Sequence, residues 1–308
     1  MKNWNILLAA ILLLSATVFS TQSALAEESM GMAYESLTAS PNETELVSFV
    51  ESAVAYAHEN GKDMALKEFS NKTGPFVQGE LYIYAYDFNG TCLAHPFIPK
   101  IDKNELDLTD SNGILIIRDL IHIAKEGNGF TYFIFPNPAH DNNDELKISY
   151  VKKVDDNWFL GSGLYLSNIS ASFDQEERDE LVAYVNEALQ FAKENGKEKS
   201  LAVFNDPTGN FTREGRYIFA NDYEGQALAL PHQPELIGTS RIDAHDPNGV
   251  YYVQHLIDMA TIGNGFLYYI YPDPSRNMTQ TLKLSYVANV DNTWFLGSGI
   301  YAKGEEAS

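Results

Sequence analysis

Cysteine is almost absent from the chain, since Cys92 is the single one among 308 residues. One thiol excludes an intrachain disulfide and a zinc site built from several thiolates, so stability must come from packing. We expect Cys92 itself to be a packed strand residue.

Basic side chains are also scarce, with 21 Lys and Arg against 42 Asp and Glu and a formal net charge of -21. Such an acidic balance repels phosphate groups, which argues against a nucleic acid as a binding partner. For the same reason an anionic membrane surface is an almost equally poor partner. Solubility of an exported protein is the simplest explanation of the charge.

Motifs of catalysis and metal binding are missing as well. The chain has no HExxH and no phosphate-binding glycine loop, and Gly161-Ser162-Gly163 lacks the spacing of a nucleophile elbow. Asp110 and Asp246 begin Asp-x-x-Gly sequences without the further ligands of an EF-hand, so we interpret them as turns or helix N-caps. His122 and His255 lack metal-ligand spacing. We predict no enzymatic activity, catalytic residue, metal site or cofactor.

The N-terminal hydrophobic run is short, extending from Ile6 to Phe19 after Lys2. A membrane-spanning helix needs about 20 residues, and the small residues around Ala26 suit signal peptidase. We predict a signal peptide at 1–26, cleaved after Ala26, with a retained anchor as the alternative. Residues 27–42 would form a flexible leader, and the protein would be secreted or extracytoplasmic and associated with the cell surface.

The most informative feature present is an internal repeat, offset by about 135 residues. For example, Trp158–Gly163 returns as Trp294–Gly299 with the same six letters. A unit of about 125 residues can bury its own core, so this is a domain duplication rather than a solenoid. We predict two domains, at 43–167 and 175–303.

Both units show the same order of predicted elements. An amphipathic helix ends at Asn60-Gly61 or Asn195-Gly196, pairs that tolerate positive φ. In the first unit a hairpin follows at Leu81–His95, then a helix at Ser111–Ala124 with Asp110 as its N-cap. Three strands complete it, at Phe130–Phe135, Glu145–Val154 and Trp158–Leu166. This order predicts an α+β fold, with helices packed on an antiparallel sheet.

The motifs in this frame resemble the Cache family, in its single-Cache type 2 form. The first unit carries Tyr82-x-Tyr84-x-Tyr86-Asp87, Leu93-Ala94-His95-Pro96 and Lys147-x-Ser149-Tyr150-Val151, and the second repeats much of the pattern. The resemblance covers about four-fifths of the chain. It implies two PAS-like Cache modules in tandem, each a long N-terminal helix backing a five-stranded antiparallel sheet whose other face holds a ligand.

What the resemblance implies about function is an exported sensory or solute-binding protein that recognises a small metabolite. Family members bind small carboxylates, amino acids or related compounds, and an organic acid or amino acid is the expected ligand here. This chain departs from the family pattern because it has no recognisable transmembrane output, so we expect it to signal through a separate membrane receptor or kinase. A non-sensory envelope or adhesion component that uses the fold as a scaffold is the alternative.

Strand alternation selects the candidate ligand-binding residues. It puts Tyr84 and Tyr86 on one face of a strand and Lys147 and Ser149 on one face of another. If these faces meet, the ammonium and the hydroxyls can hold a carboxylate, and His95 adds a switchable donor. Alternatively, the tyrosines are core residues with surface hydroxyls and the lysine is solvated. The candidates are Tyr84, Tyr86, His95, Tyr132, Lys147, Ser149, Tyr268, Lys283 and Ser285.

The two units differ at matched positions, because Leu230 replaces His95, Phe219 replaces Tyr84 and Asn221 replaces Tyr86. We hypothesise that the first unit binds an anion and that the second is altered in specificity or mainly structural.

Overall fold

The computed structural model describes residues 43–98, 101–213 and 215–303. The predicted signal peptide and leader, at 1–26 and 27–42, lie outside the described residues. Contacts group these described residues into one compact unit. Within it, two copies of one element order follow each other, and we call residues 43–167 the first half and residues 175–303 the second half.

Helices and short and long strands alternate in the same way in both halves. The first half contains α1 (Glu43–Asn60), α2 (Lys62–Phe69), β1 (Val77–Gln78), β2 (Leu81–Tyr82), β3 (Tyr84–Asp87), β4 (Cys92–Ala94), α3 (Ile116–Lys125), β5 (Asn128–Asn137), β6 (Asn143–Lys153) and β7 (Trp158–Tyr165). The second half contains α4 (Gln175–Asn195), α5 (Lys197–Phe204), β8 (Thr212–Arg213), β9 (Arg216–Tyr217), β10 (Phe219–Asp222), β11 (Ala227–Ala229), α6 (Tyr252–Thr261), β12 (Asn264–Asp273), β13 (Thr279–Asp291) and β14 (Trp294–Tyr301).

Each half has a five-stranded antiparallel sheet, in the order β4-β3-β7-β6-β5 and β11-β10-β14-β13-β12. The long strands β5, β6 and β7 form a continuous meander, as do β12, β13 and β14. The prediction of an α+β fold with five-stranded antiparallel sheets is therefore confirmed.

Different helices cover the two faces of the first sheet. α1 packs on β6 and β7 through buried residues spaced by three and four, among them Leu46, Val50 and Ala53. Lys152 of β6 donates to Glu51 of α1 at 2.5 Å, whereas α3 packs against β5 and β6. Because side chains alternate along a strand, the odd-numbered residues of β6 lie on the face opposite α1.

The first helix ends where the sequence indicated, but a second helix follows at once. Gly61 has a φ of 79°, in the left-handed region that glycine adopts without strain, and Gly196 has the same φ. α2 and α5 begin at the next residues and were not predicted.

The predicted N-cap role of Asp110 is wrong. α3 begins at Ile116, with Leu115 as its N-cap residue, five residues after the predicted start at Ser111. The Asp110 carboxylate instead closes a turn and also bonds β5, because it accepts the backbone N–H groups of Asn112, Ile114 and Ile134. The interpretation of Asp110 and Asp246 as turn residues is confirmed, since Asp246 accepts the equivalent N–H groups of Asn248, Val250 and Ile270.

The two halves meet through β5 and β12 in a reciprocal way. A Cβ on Gly113 would lie 3.3 Å from the ring of Phe266, and one on Gly249 would lie 3.4 Å from the ring of Phe130. Equivalent residues thus exchange places across the contact, which is the pattern of an interface with two-fold symmetry.

Candidate functional site

A buried lysine lies on the α3 face of the first sheet. Lys147 in β6 is 1% exposed, and its Nζ lies 3.9 Å from the ring centroid of Tyr82 and 4.7 Å from that of Tyr165. Aromatic faces attract a cation through their quadrupoles. Lys147 forms no ion pair with any residue that the structure describes. The groups in contact with its ammonium are therefore aromatic rings rather than carboxylates.

Sheet register and a glycine explain this position. Lys147 pairs with Phe133 of β5 and with Tyr165 of β7, and residues directly opposite in neighbouring strands share a face. A Cβ on Gly163 would lie 2.6 Å from the Lys147 Cε, and one on Gly161 would lie 2.6 Å from the Tyr84 hydroxyl oxygen. The Gly-Ser-Gly of β7 therefore leaves room for the lysine stem and the tyrosine ring.

Four other predicted site residues lie around this lysine, namely Tyr84, Tyr86, His95 and Ser149. The Tyr84 Oη lies 2.5 Å from the Ser149 Oγ, and Tyr86 donates to Glu105 at 2.7 Å. The His95 Nδ1 accepts the N–H groups of Phe97 and Ile98, each at 3.1 Å. A cavity of about 20 Å³ is lined by Tyr82, Tyr84, Tyr86, His95, Ile116, Ile117, Leu120, Phe133, Phe135 and Lys147.

The second half contains a matching arrangement around Lys283, which is also 1% exposed. We call the aromatic rings that surround each lysine a lysine cage. The Lys283 Nζ donates to the Tyr217 Oη at 3.0 Å and lies 5.1 Å from the ring centroids of Tyr271 and Tyr301. Behind it, Ser285 donates to the hydroxyl oxygen of Tyr269 at 2.9 Å. The cavity of about 30 Å³ also includes Arg241 in its lining.

Burial shifts the pKa values of the lysines and tyrosines in both cages. Loss of hydration lowers the pKa of Lys147 and of Lys283 to about 7, although the charges of Glu80 and Asp273 oppose this shift. Burial also raises the pKa of Tyr84 and Tyr86, so their hydroxyls remain protonated. Near neutral pH both the charged and the neutral form of each amine are populated, and a bound anion would favour the charged form.

Tyr132 and Tyr268, two of the predicted ligand-binding residues, do not line the two cavities around the lysines. Tyr132 pairs with Ile148, one residue along from the pair that Phe133 makes with Lys147, and successive strand residues point to opposite faces. Tyr268 likewise pairs with Leu284. The residues that take the cavity face instead are Phe133, Phe135, Tyr269 and Tyr271.

Both tyrosines contact the opposite half of the molecule. The Tyr132 Oη donates to the Asp246 Oδ2 at 2.9 Å and accepts from Asn248 at 2.6 Å. The Tyr268 Oη accepts from Asn112 at 2.6 Å. These residues hold the two halves together rather than lining a cavity.

Arg241 and Tyr217 also line the second cavity and were not among the predicted site residues. Tyr217 occupies the place of Tyr82 at the first Tyr of the repeated motif, which was an available signal. Arg241 lies in a loop after β11, where no strand or helix periodicity points to one face.

The chain matches a known protein family over most of its length. The model dCache_2, described as a Cache domain, matches residues 28–306. The chain belongs to the Cache domain family. Cache domains are extracytoplasmic sensor modules. Within the described residues, no helix combines the length and apolarity needed to cross a membrane.

Two curated relatives are signalling proteins. This Cache protein is 34% identical over 92 residues to the sensor histidine kinase MctS of Rhizobium johnstonii, a match that covers 29% of this chain and 20% of MctS. It is 26% identical over 114 residues to the methyl-accepting chemotaxis protein McpP of Pseudomonas putida, covering 36% of this chain and 21% of McpP. The chain therefore spans about one fifth of the length of these relatives.

A solved structure matches more of the chain at lower identity. The ligand-binding domain of the chemoreceptor CtaA of Pseudomonas fluorescens, in complex with L-isoleucine, covers 92% of this chain and is itself covered to 96%. Its sequence identity is 15% and the TM-score is 0.30.

Proposed function

We propose that this Cache protein is an exported sensor or solute-binding protein that recognises a small carboxylate in its lysine cages. The observation that carries the proposal is the burial of Lys147 among aromatic rings, without an ion pair in the described part of the chain. Burying an unpaired ammonium is unfavourable, and an anionic ligand supplies the missing counter-charge.

The lining of the cavities supports an organic acid over an amino acid. Among the described residues that line either cavity, none is Asp or Glu. An amino acid would bring its ammonium group against walls that offer it no carboxylate, whereas a simple acid needs only the lysine and hydroxyl donors.

The size of the cavities supports a small ligand. Volumes of about 20 and about 30 Å³ lie far below the roughly 300–1,000 Å³ typical of pockets for larger ligands. Entry of even a small acid requires α3 or α6 to move, because these helices supply one wall of each cavity. The closed and open arrangements would then differ in affinity, and the ligand would shift their populations.

For the whole protein we propose two Cache modules in tandem, at 43–167 and 175–303, after a signal peptide that ends at Ala26. The repeated element order and the matched lysine cages support this organisation. A membrane receptor or kinase would receive the signal, a proposal supported by the resemblance of about a third of the chain to signalling proteins.

Ligand screening of the purified protein tests the function. We expect acetate or propionate, at about 100 times the dissociation constant, to stabilise the protein by about 2.7 kcal/mol and raise its melting temperature by several degrees. The double variant Lys147→Met with Lys283→Met should lose this shift. The control Lys153→Met, in the same strand as Lys147 but paired with Asp156, should keep it.

Two results would contradict the proposal. A melting shift with amino acids and none with simple acids would overturn the ligand class. No shift with any small metabolite would favour the envelope or adhesion alternative.

A further inference from the structure

The second cavity contains a second cation in addition to Lys283. The Arg241 Nη2 donates to the Tyr252 Oη at 2.6 Å, and both side chains line the cavity. The Tyr252 ring stacks on that of Tyr269, with centroids 4.9 Å apart and an angle of 14° between the planes. The aromatic wall thus holds the guanidinium at the cavity.

The equivalent position of the first half carries the opposite charge. The Arg241 N–H donates to the carbonyl of Gly225 at 2.8 Å, and the Glu105 N–H donates to the carbonyl of Gly90 at 2.8 Å. The next residues in the chain, which a Cβ on the respective glycine would meet, are Leu106 and Ile242. Glu105 and Arg241 are therefore matched positions, although their local sequences differ.

The charge reversal gives the two cavities different electrostatic surroundings. In the first half Tyr86, which lines the cavity together with Lys147, donates to Glu105 at 2.7 Å. The Glu105 carboxylate therefore lies directly behind Tyr86. In the second half Asn221 replaces Tyr86, and Arg241 joins Lys283 in the lining itself. His232 contributes little positive charge at neutral pH, because burial and the nearby Lys283 lower its pKa.

We propose that the first cavity takes a monocarboxylate and the second takes a dicarboxylate, with one carboxylate on Lys283 and the other on Arg241. A guanidinium can donate two parallel hydrogen bonds to a carboxylate, while an ammonium acts as a point charge. Glu105 repels a second carboxylate in the first cavity, which provides discrimination by unfavourable contact. This inference rests on the proposed carboxylate function.

Calorimetry with acetate and malonate tests the assignment, using variants that each retain one lysine cage. We expect Lys147→Met to bind malonate, and Lys283→Met to bind acetate but not malonate. In the Lys147→Met background, Arg241→Gln should weaken malonate binding about 10- to 100-fold, as expected for loss of a charge-assisted pair. The control Arg216→Gln, which breaks a pair with Glu180, should leave malonate binding unchanged.

Two further variants separate charge from folding. Arg241→Lys keeps a cation and should retain part of the malonate affinity, and Glu105→Gln should strengthen malonate binding to the first cavity. Unchanged malonate affinity in Arg241→Gln, or binding of malonate through Lys147 alone, overturns the inference. If neither acid binds the unaltered protein, the carboxylate function itself fails. If both bind without discrimination by charge, only the present assignment fails.

Discussion

Lys147 and Lys283 each place a charge-bearing side chain at 1% exposure. Their stems occupy space left by Gly163 and Gly299, and their ammonium groups end among tyrosine rings. Cation–π contacts offset part of the lost hydration, and burial lowers the pKa of each lysine to about 7. Burial of each ammonium therefore lowers the stability of the fold, a cost that the proposed anionic ligand would offset.

The Lys147→Met variant should reveal this conflict through its pH dependence. The folded pKa is about 7 and the ordinary value is 10.5, so the unfolded state binds more protons between these values. Stability of the unaltered protein therefore gains from rising pH across this window. We expect Lys147→Met to have the higher free energy of unfolding at about pH 6, by on the order of a few kcal/mol, and the advantage to shrink toward pH 10.

Urea unfolding at several pH values measures this difference, with Lys153→Met as a control at a partly exposed lysine. A difference that is independent of pH would contradict burial of a charged Lys147.

At the scale of elements, α3 and α6 each cover one cavity and also touch each other. Ile117 and Leu120 of α3 line the first cavity, and Val253 and Leu256 of α6 line the second. Between the helices, the His122 Nε2 lies 2.7 Å from the Asp258 Oδ2, and these two residues occupy equivalent positions in the two halves. Movement of one helix therefore disturbs a contact of the other.

The His122→Gln variant tests this contact through pH. The hydrogen bond with Asp258 raises the pKa of His122, burial opposes the shift, and the charges of Asp258, Asp119 and Glu126 reinforce it. A raised folded pKa means that the pair stabilises the fold fully below the unfolded value of 6.5 and that this contribution is lost as the pH rises through the folded value.

We expect His122→Gln to lower the free energy of unfolding at about pH 5.5 by less than about 1 kcal/mol, because an exposed pair is weakened by solvent. The loss should vanish in alkaline solution. The partner variant Asp258→Asn should give a similar profile, and a loss that grows with pH would refute the ion pair.

At the scale of the whole molecule, buried polar contacts join the halves into one unit. Asp246 accepts from Tyr132 of the first half and from the backbone N–H of Ile270 in β12. Ile270 lies between Tyr269 and Tyr271, which line the second cavity. The interface is thus directly connected to a strand that lines the second cavity.

Removing one interface hydroxyl should destabilise the whole fold. Tyr132→Phe removes one hydrogen-bond partner from buried Asp246 and one from buried Asn248, so we expect a loss of about 1–3 kcal/mol in the free energy of unfolding. Tyr268→Phe should show a similar loss, whereas Tyr251→Phe, at a residue that is 41% exposed, should change stability by less than about 0.5 kcal/mol. Denaturant unfolding measures all three, and equal stability of Tyr132→Phe and Tyr251→Phe would contradict this role of the interface.

The sequence by itself determined the repeat, most of the order of helices and strands within it, and the matched positions of Lys147 and Lys283, because periodicity and internal repetition can be read along the chain. It also indicated that Tyr84, Tyr86 and Lys147 could share a site. Only the tertiary structure decided that Tyr132 faces the other half, since an alternating pattern does not say which face is which, and its partner Asp246 is 114 residues away. The same holds for Arg241, which reaches the second cavity from a loop with no periodicity to predict its direction.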